Sequence, residues 1–256
     1  MRLIERIAVL GGIALAMTAC GKKGALVYPD MLVPSAPTAA SVNQSGSVVK
    51  LQFDLPTSDR AGNRLSNLAG LKVSKRERDP ASEQICRSCM EDYRPFRKLY
   101  LDILPDGAER LGNRLIVLDG DVRPDKTYTY FAVPFTKEGV DGAPSPQMSV
   151  QLVQTVLPPI LHVESNPAEI RISFVSLPPL DGVTIGYNLY RRSNKSTFSQ
   201  LPINKEPLTG KEFVDSGLAR GTAYFYLART AVRLPSGSVV ESVVSNEVEG
   251  MLKDDE

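Results

Sequence analysis

The sequence predicts an all-β protein: two tandem β-sandwiches carried behind an export signal and a flexible tether. Three observations predict it. Runs with a helical period are absent, and short alternating runs dominate: Val49-Lys50-Leu51-Gln52-Phe53, Tyr128-Thr129-Tyr130-Phe131-Ala132-Val133 and Ile170-Arg171-Ile172-Ser173-Phe174. A period of two, with Pro and Gly between the runs, marks half-buried strands. The chain also repeats itself. Gly70–Arg76 aligns without gaps with Gly186–Arg192, and Asp119–Tyr128 with Asp215–Tyr224, in the same order in both halves, the signature of a tandem duplication. Finally, 256 residues at 42% hydrophobic content suffice for two ordinary domains, and 19 Gly with 19 Pro suit a turn-rich fold.

The N-terminal element is an address. Arg2 and Arg6 form a basic start, and an apolar run follows from Ile7 to Met17, broken only by Gly11 and Gly12. A bilayer-spanning helix needs about 20 apolar residues, so the run fits a secretory signal peptide. It ends in Met17-Thr18-Ala19-Cys20, which resembles the lipobox of bacterial lipoproteins, with Met17 where that family usually carries Leu. The resemblance implies removal of residues 1–19, lipidation of Cys20, and a membrane held through the acyl chains. Each buried CH₂ contributes about 0.8 kcal/mol, so one chain anchors marginally and two or three hold firmly. Cys20-Gly21-Lys22-Lys23-Gly24 resembles the start of small lipoproteins of Gram-negative outer membranes, and Gly21 in place of Asp implies the outer membrane, on its periplasmic or surface face. Residues 20–33 read as the lipidated Cys and flexible tether. The stretch from Ala25 to Ala40 holds Pro29, Pro34 and Pro37 without a strand period.

The folded body occupies 34–155 and 156–250. Leu157-Pro158-Pro159 opens the second half. Phe213-Val214-Asp215 then precedes Leu218-Ala219-Arg220-Gly221-Thr222-Ala223-Tyr224-Phe225-Tyr226. These residues resemble the E–F corner of fibronectin type III domains, and the aligned positions of the first half end on Tyr128. The resemblance implies two immunoglobulin-like sandwiches with Leu218 packed inward. It also implies structural tyrosine corners at Tyr128 and Tyr224, each hydroxyl bonding back to the backbone. The buried strand-B Trp of that family is absent, and Phe53 and Phe174 stand in its place. Ser242–Val248 is expected as the last strand, Glu241-Ser242-Val243-Val244 as an ordinary edge strand, and 251–256 as a solvated acidic tail.

Composition narrows the chemistry. The net charge of +1 falls to zero once the signal peptide is removed, giving no electrostatic reason for a nucleic-acid partner. One His and three Cys exclude a multi-histidine metal site or a zinc-ribbon pair. No catalytic, cofactor-binding or metal-binding residue is expected, and no phosphate loop is present. Cys86-Arg87-Ser88-Cys89 sits in an excursion: Arg76 to Asp119 spans 43 positions where Arg192 to Asp215 spans 23. In an exported protein this spacing reads as a disulfide, Cys86–Cys89, that pins a loop. A redox pair would need the helix N-terminus after a strand that lowers a thiol pKa, and covalent haem would need His where Met90 stands. Tyr93–Tyr100 interleaves aromatic and basic residues and reads as a strand with Phe96 and Leu99 near the core. His162 reads as an exposed strand residue.

The function expected is therefore that of a membrane-anchored lipoprotein, a non-enzymatic interaction or scaffold protein of the cell envelope with a protein partner there. The alternatives are an accessory subunit of an envelope machine or secreted enzyme, or a periplasmic thiol redox protein using Cys86 and Cys89.

Overall fold

The computed structural model describes residues 28–79, 92–194 and 196–253. The signal peptide, Cys20, Cys86 and Cys89 lie outside the described residues. The first half contains β1 (Thr38–Ser45), β2 (Val48–Asp54), β3 (Leu68–Arg78), β4 (Arg94–Tyr100), β5 (Ala108–Leu111), β6 (Arg114–Asp119), β7 (Thr127–Thr136) and β8 (Met148–Gln151). Its layers are β1-β2-β6-β5 and β4-β3-β7-β8. The second half contains β9 (Ile160–Ser165), β10 (Glu169–Val175), β11 (Val183–Ser193), β12 (Glu212–Ser216), β13 (Tyr224–Arg233), β14 (Val239–Glu241) and β15 (Val248–Gly250). There the layer β9-β10-β12 faces β11-β13, and both β14 and β15 pair with β13. The protein is all-β, and each half has the strand order of a fibronectin type III sandwich.

Alternation decides which side chains enter each core. Val49, Leu51 and Phe53 point inward with Leu71, Leu99 and Tyr130, while Ile170, Ile172 and Phe174 do so with Leu189, Tyr226 and Ala228. Phe53 and Phe174 are both buried. At about 25 cal/mol per Å² of apolar surface removed from water, these two clusters are the main stabilising term of their sandwiches. Val122 and Leu218, aligned in the repeat, pack against the rims of the two cores.

The repeat extends to a backbone irregularity. β3 shifts register at Gly70 and β11 at Gly186, the aligned glycines. A Cβ on Gly70 would sit 1.8 Å from the Leu99 carbonyl oxygen, and one on Gly186 would sit 2.5 Å from that of Leu208. In both sandwiches the neighbouring edge chain crosses where a side chain would be, so only Gly fits the bulge.

Three expectations change. The last strand is not Ser242–Val248 but the split pair β14 and β15. Between them Ser242 Oγ accepts from Thr230 N–H and Ser245 Oγ from Ala228 N–H, each at 2.9 Å. Hydroxyls thus take the donors of β13 that a continuous strand would have met with carbonyls. The segment 251–256 is not wholly a solvated tail, because Leu252 is buried in the second core. The tether is fixed from its Pro29 turn onward: Ala61 N–H donates to Met31 O at 2.9 Å and Arg60 N–H to Val33 O at 3.0 Å.

The two sandwiches share a sheet. β14 pairs in parallel with β1 at Ser45 and Glu241, and Gly46 N–H donates to Glu241 O at 2.9 Å. One sheet therefore runs β11-β13-β14-β1-β2-β6-β5 across both halves. Glu241 is consequently not on an edge strand: β13 covers one side of β14 and β1 the other.

Candidate functional site at the junction of the sandwiches

Alternation along β2 turns Lys50 and Gln52 away from the first core, with Asn43 opposite Lys50 on β1. A lone sandwich would leave this face in water. Here the second sandwich covers part of it, and Lys50 and Glu241 are 5% and 7% exposed. The Glu241 carboxylate accepts from Ser45 Oγ at 2.5 Å and Lys50 Nζ at 2.8 Å on the first sandwich. It also accepts from Asn188 Nδ2 at 2.5 Å and Tyr190 OH at 3.1 Å on the second. A buried charge is tolerated only when paired and fully hydrogen-bonded, and four donors meet that requirement. Burial pushes the Glu241 carboxyl up, but Lys50 and the hydrogen bonds outweigh it and hold its pKa below the usual carboxylate range. Burial, and then the Glu241 charge, push the Tyr190 phenol well up.

Two further contacts fix the junction. Gln44 holds the linker through a reciprocal pair, its Nε2 donating to Val153 O at 2.9 Å and its Oε1 accepting from Val153 N–H at 3.0 Å. On the far side, Glu109 Oε2 accepts from Gln200 N–H at 2.6 Å and Ser199 Oγ at 3.2 Å. Ile116, between Gln52 and Glu109 in register, is fully buried although it points away from the first core. The result is a trough of about 580 Å³ between the sandwiches. Asn43, Lys50 and Gln52 belong to its first-domain side, and Asn188 and residues 201–204 to its second-domain side.

The expected corner residues lie elsewhere, at the E–F ends. Tyr128 OH accepts from Arg123 N–H at 2.9 Å, and Tyr224 OH accepts from Ala219 N–H at 3.0 Å. Beside each corner is a polar knot. In the first sandwich Asp119 accepts from Tyr130 OH and from Lys75 Nζ, each at 2.8 Å, and Lys75 stands over the Tyr128 ring. In the second, Asp215 accepts from Tyr226 OH at 2.8 Å and Arg191 at 2.7 Å, with Arg191 over the Tyr224 ring. Burial, and then the neighbouring carboxylate, push the Tyr130 phenol well up. The Tyr226 phenol is raised by burial and then by its hydrogen bond to Asp215. These knots brace the fold, with the carboxylates of Asp119 and Asp215 buried at their centres.

The other singled-out residues are ordinary. In β4, Leu99 is fully buried, Phe96 packs against the core edge-on to Tyr130, and Arg94, Lys98 and Tyr100 are exposed. Pro95 and its basic neighbours suit an edge strand that must not pair with another chain. His162 is exposed on β9. Among the described residues no group of three or more His, Cys, Asp or Glu could hold a metal, and no helix is long and apolar enough to cross a membrane.

Sequence reasoning missed Glu241, Lys50 and the two knots. The repeat alignment carries the knots, since it pairs Lys75 with Arg191 and Asp119 with Asp215. No comparable signal links Lys50 to Glu241.

No protein-family model and no curated protein matches the sequence. Among solved structures the chain is similar to the FN1–FN3 domains of chicken CNTN1, at 13% identity and a TM-score of 0.33, covering 87% of this chain and 69% of that one. The fold of each half rests on the strand order and corners described above rather than on this likeness.

Proposed function

We propose that this protein is a lipid-anchored, non-enzymatic interaction protein of the bacterial cell envelope, presenting two joined fibronectin type III-like sandwiches as one arm. The observation that carries the reading is the shared sheet with its buried Glu241 junction. Joined in this way, two domains hold their loops and outer faces in a fixed relation, as a binding platform requires. The anchor rests on the resemblance of Met17-Thr18-Ala19-Cys20 to a lipobox, and Cys86–Cys89 enters as a disulfide pinning the excursion.

The test is metabolic labelling with an alkyne-tagged palmitate in the native host, followed by intact-mass measurement of unreduced, alkylated protein. Expected is a labelled protein beginning at Cys20, with neither Cys86 nor Cys89 alkylated, and loss of label in Cys20→Ala. An unlabelled wild-type protein would remove the anchor from this reading. Cross-linking in intact cells then identifies the partner, and stoichiometric capture of one envelope complex would favour the accessory-subunit role.

A further inference from the structure

We infer that the trough between the sandwiches is a binding site for a short neutral oligosaccharide. Its volume of about 580 Å³ falls within the range of about 300–1,000 Å³ usual for small-ligand sites. The chemistry of its lining selects the ligand class. Its buried and half-buried charges are already matched, Lys50 by Glu241 and Arg114 by Asp54 through contacts of 2.9 and 3.3 Å, while Lys205 is exposed to water. Asn188 is likewise engaged, by Glu241 and Asn204.

Two half-buried polar side chains remain. Asn43 and Gln52 are half-buried on adjacent strands, diagonal to each other in register, and neither amide has a hydrogen-bond partner among the described residues. A side-chain amide offers two donors and an acceptor with two lone pairs. Paired free amides therefore suit groups that both donate and accept, which is the character of sugar hydroxyls. Opposite them, Leu201, Pro202 and Ile203 form an apolar wall against which the C–H face of a sugar ring can rest. A peptide strand is the poorer fit, because strand addition needs an open sheet edge and β2, which carries Gln52, is paired along its length on both sides.

This inference does not depend on the lipid anchor. The test uses purified full-length protein, kept free of any detergent with a sugar headgroup, by saturation-transfer NMR against maltohexaose, cellohexaose and chitohexaose. Expected is transfer to at least one of the three. Asn43→Ala and Gln52→Ala should each weaken that binding about three- to tenfold, the loss of one hydrogen-bonding group, with the melting curve unchanged. No transfer to any of the three sugars would overturn the inference. So would binding that the double Asn43→Ala/Gln52→Ala variant leaves intact. Displacement of the sugar by a blocked alanine tetrapeptide at equal concentration would assign the trough to peptide instead.

Discussion

Replacing Glu241 by Gln tests the junction at its centre. Gln keeps the length and one carbonyl oxygen but removes the charge. It leaves the Lys50 ammonium, with a side chain 6% exposed, facing a neutral amide. Removing one partner of a buried ion pair costs about 3–5 kcal/mol. Because Lys50 regains water when the sandwiches part, the loss falls on the junction rather than on either core. Whole-domain stabilities are about 5–15 kcal/mol, so a loss of this size is enough to uncouple the halves. Glu241→Gln should unfold in two urea transitions where wild type shows one, and its radius of gyration by X-ray scattering should rise. The pH dependence has a definite sign. A carboxyl whose folded pKa is depressed stabilises above its unfolded value, about 4.3, and loses that contribution as pH falls through the folded value. Wild type should therefore loosen at the junction below about pH 4, with no such step in Glu241→Gln. Replacing both partners, as Lys50→Met with Glu241→Leu, removes the stranded charge but leaves the Ser45, Asn188 and Tyr190 donors without their acceptor, so it should still destabilise the junction, by about 1–3 kcal/mol for each buried donor left unpaired. A Glu241→Gln protein with the wild-type midpoint and scattering curve would refute the reasoning.

Other consequences follow from the same geometry. Asp119→Asn should cost about 3–5 kcal/mol by urea titration, because it removes the buried charge with which the largely buried Lys75 ammonium pairs. Asp215→Asn should cost less, since Arg191 is 34% exposed and water screens it; equal costs would contradict this. Gly186→Ala should destabilise by about 1–3 kcal/mol or more through collision with Leu208. Gly217→Ala also has a positive φ but meets open space, and should cost less; the reverse order in thermal melts would count against the bulge argument. Tyr130, Tyr190 and Tyr226 have the phenols that burial pushes furthest up. A raised folded pKa contributes stability below the unfolded value, about 10, and loses it as pH climbs. Phenolate absorbance should therefore show these three of the nine tyrosines ionising only as the protein unfolds, and a smooth independent titration would exclude this.

The parts of this protein that repeat are legible in the amino-acid order alone. Alternation around Val49–Phe53 and Ile170–Phe174 marks strands and cores, and the aligned Asp119–Tyr128 and Asp215–Tyr224 locate both corners. Local patterns are legible because neighbouring residues determine which face each side chain occupies. The junction is not legible for the same reason. Alternation correctly turns Lys50 outward from its own sandwich, and outward ordinarily means water. Only the placement of β14 against β1 converts that face into an interior. Glu241 likewise reads as a polar residue on a short strand until four donors from two domains converge on it.

The junction also imposes an order of events on a chain that emerges N-terminus first. Its bonds join Ser45 and Lys50 to a residue 196 and 191 positions further on. The first sandwich can complete its own sheets long before β14 exists. During that interval the Ser45 end of β1 is an unpaired strand edge, and the Lys50 ammonium has no Glu241 to match it. Synthesis or translocation that stalls short of Val239 thus leaves an intact domain with the surface features that promote sheet-to-sheet aggregation. The end of the chain protects the first sandwich as well as completing the second.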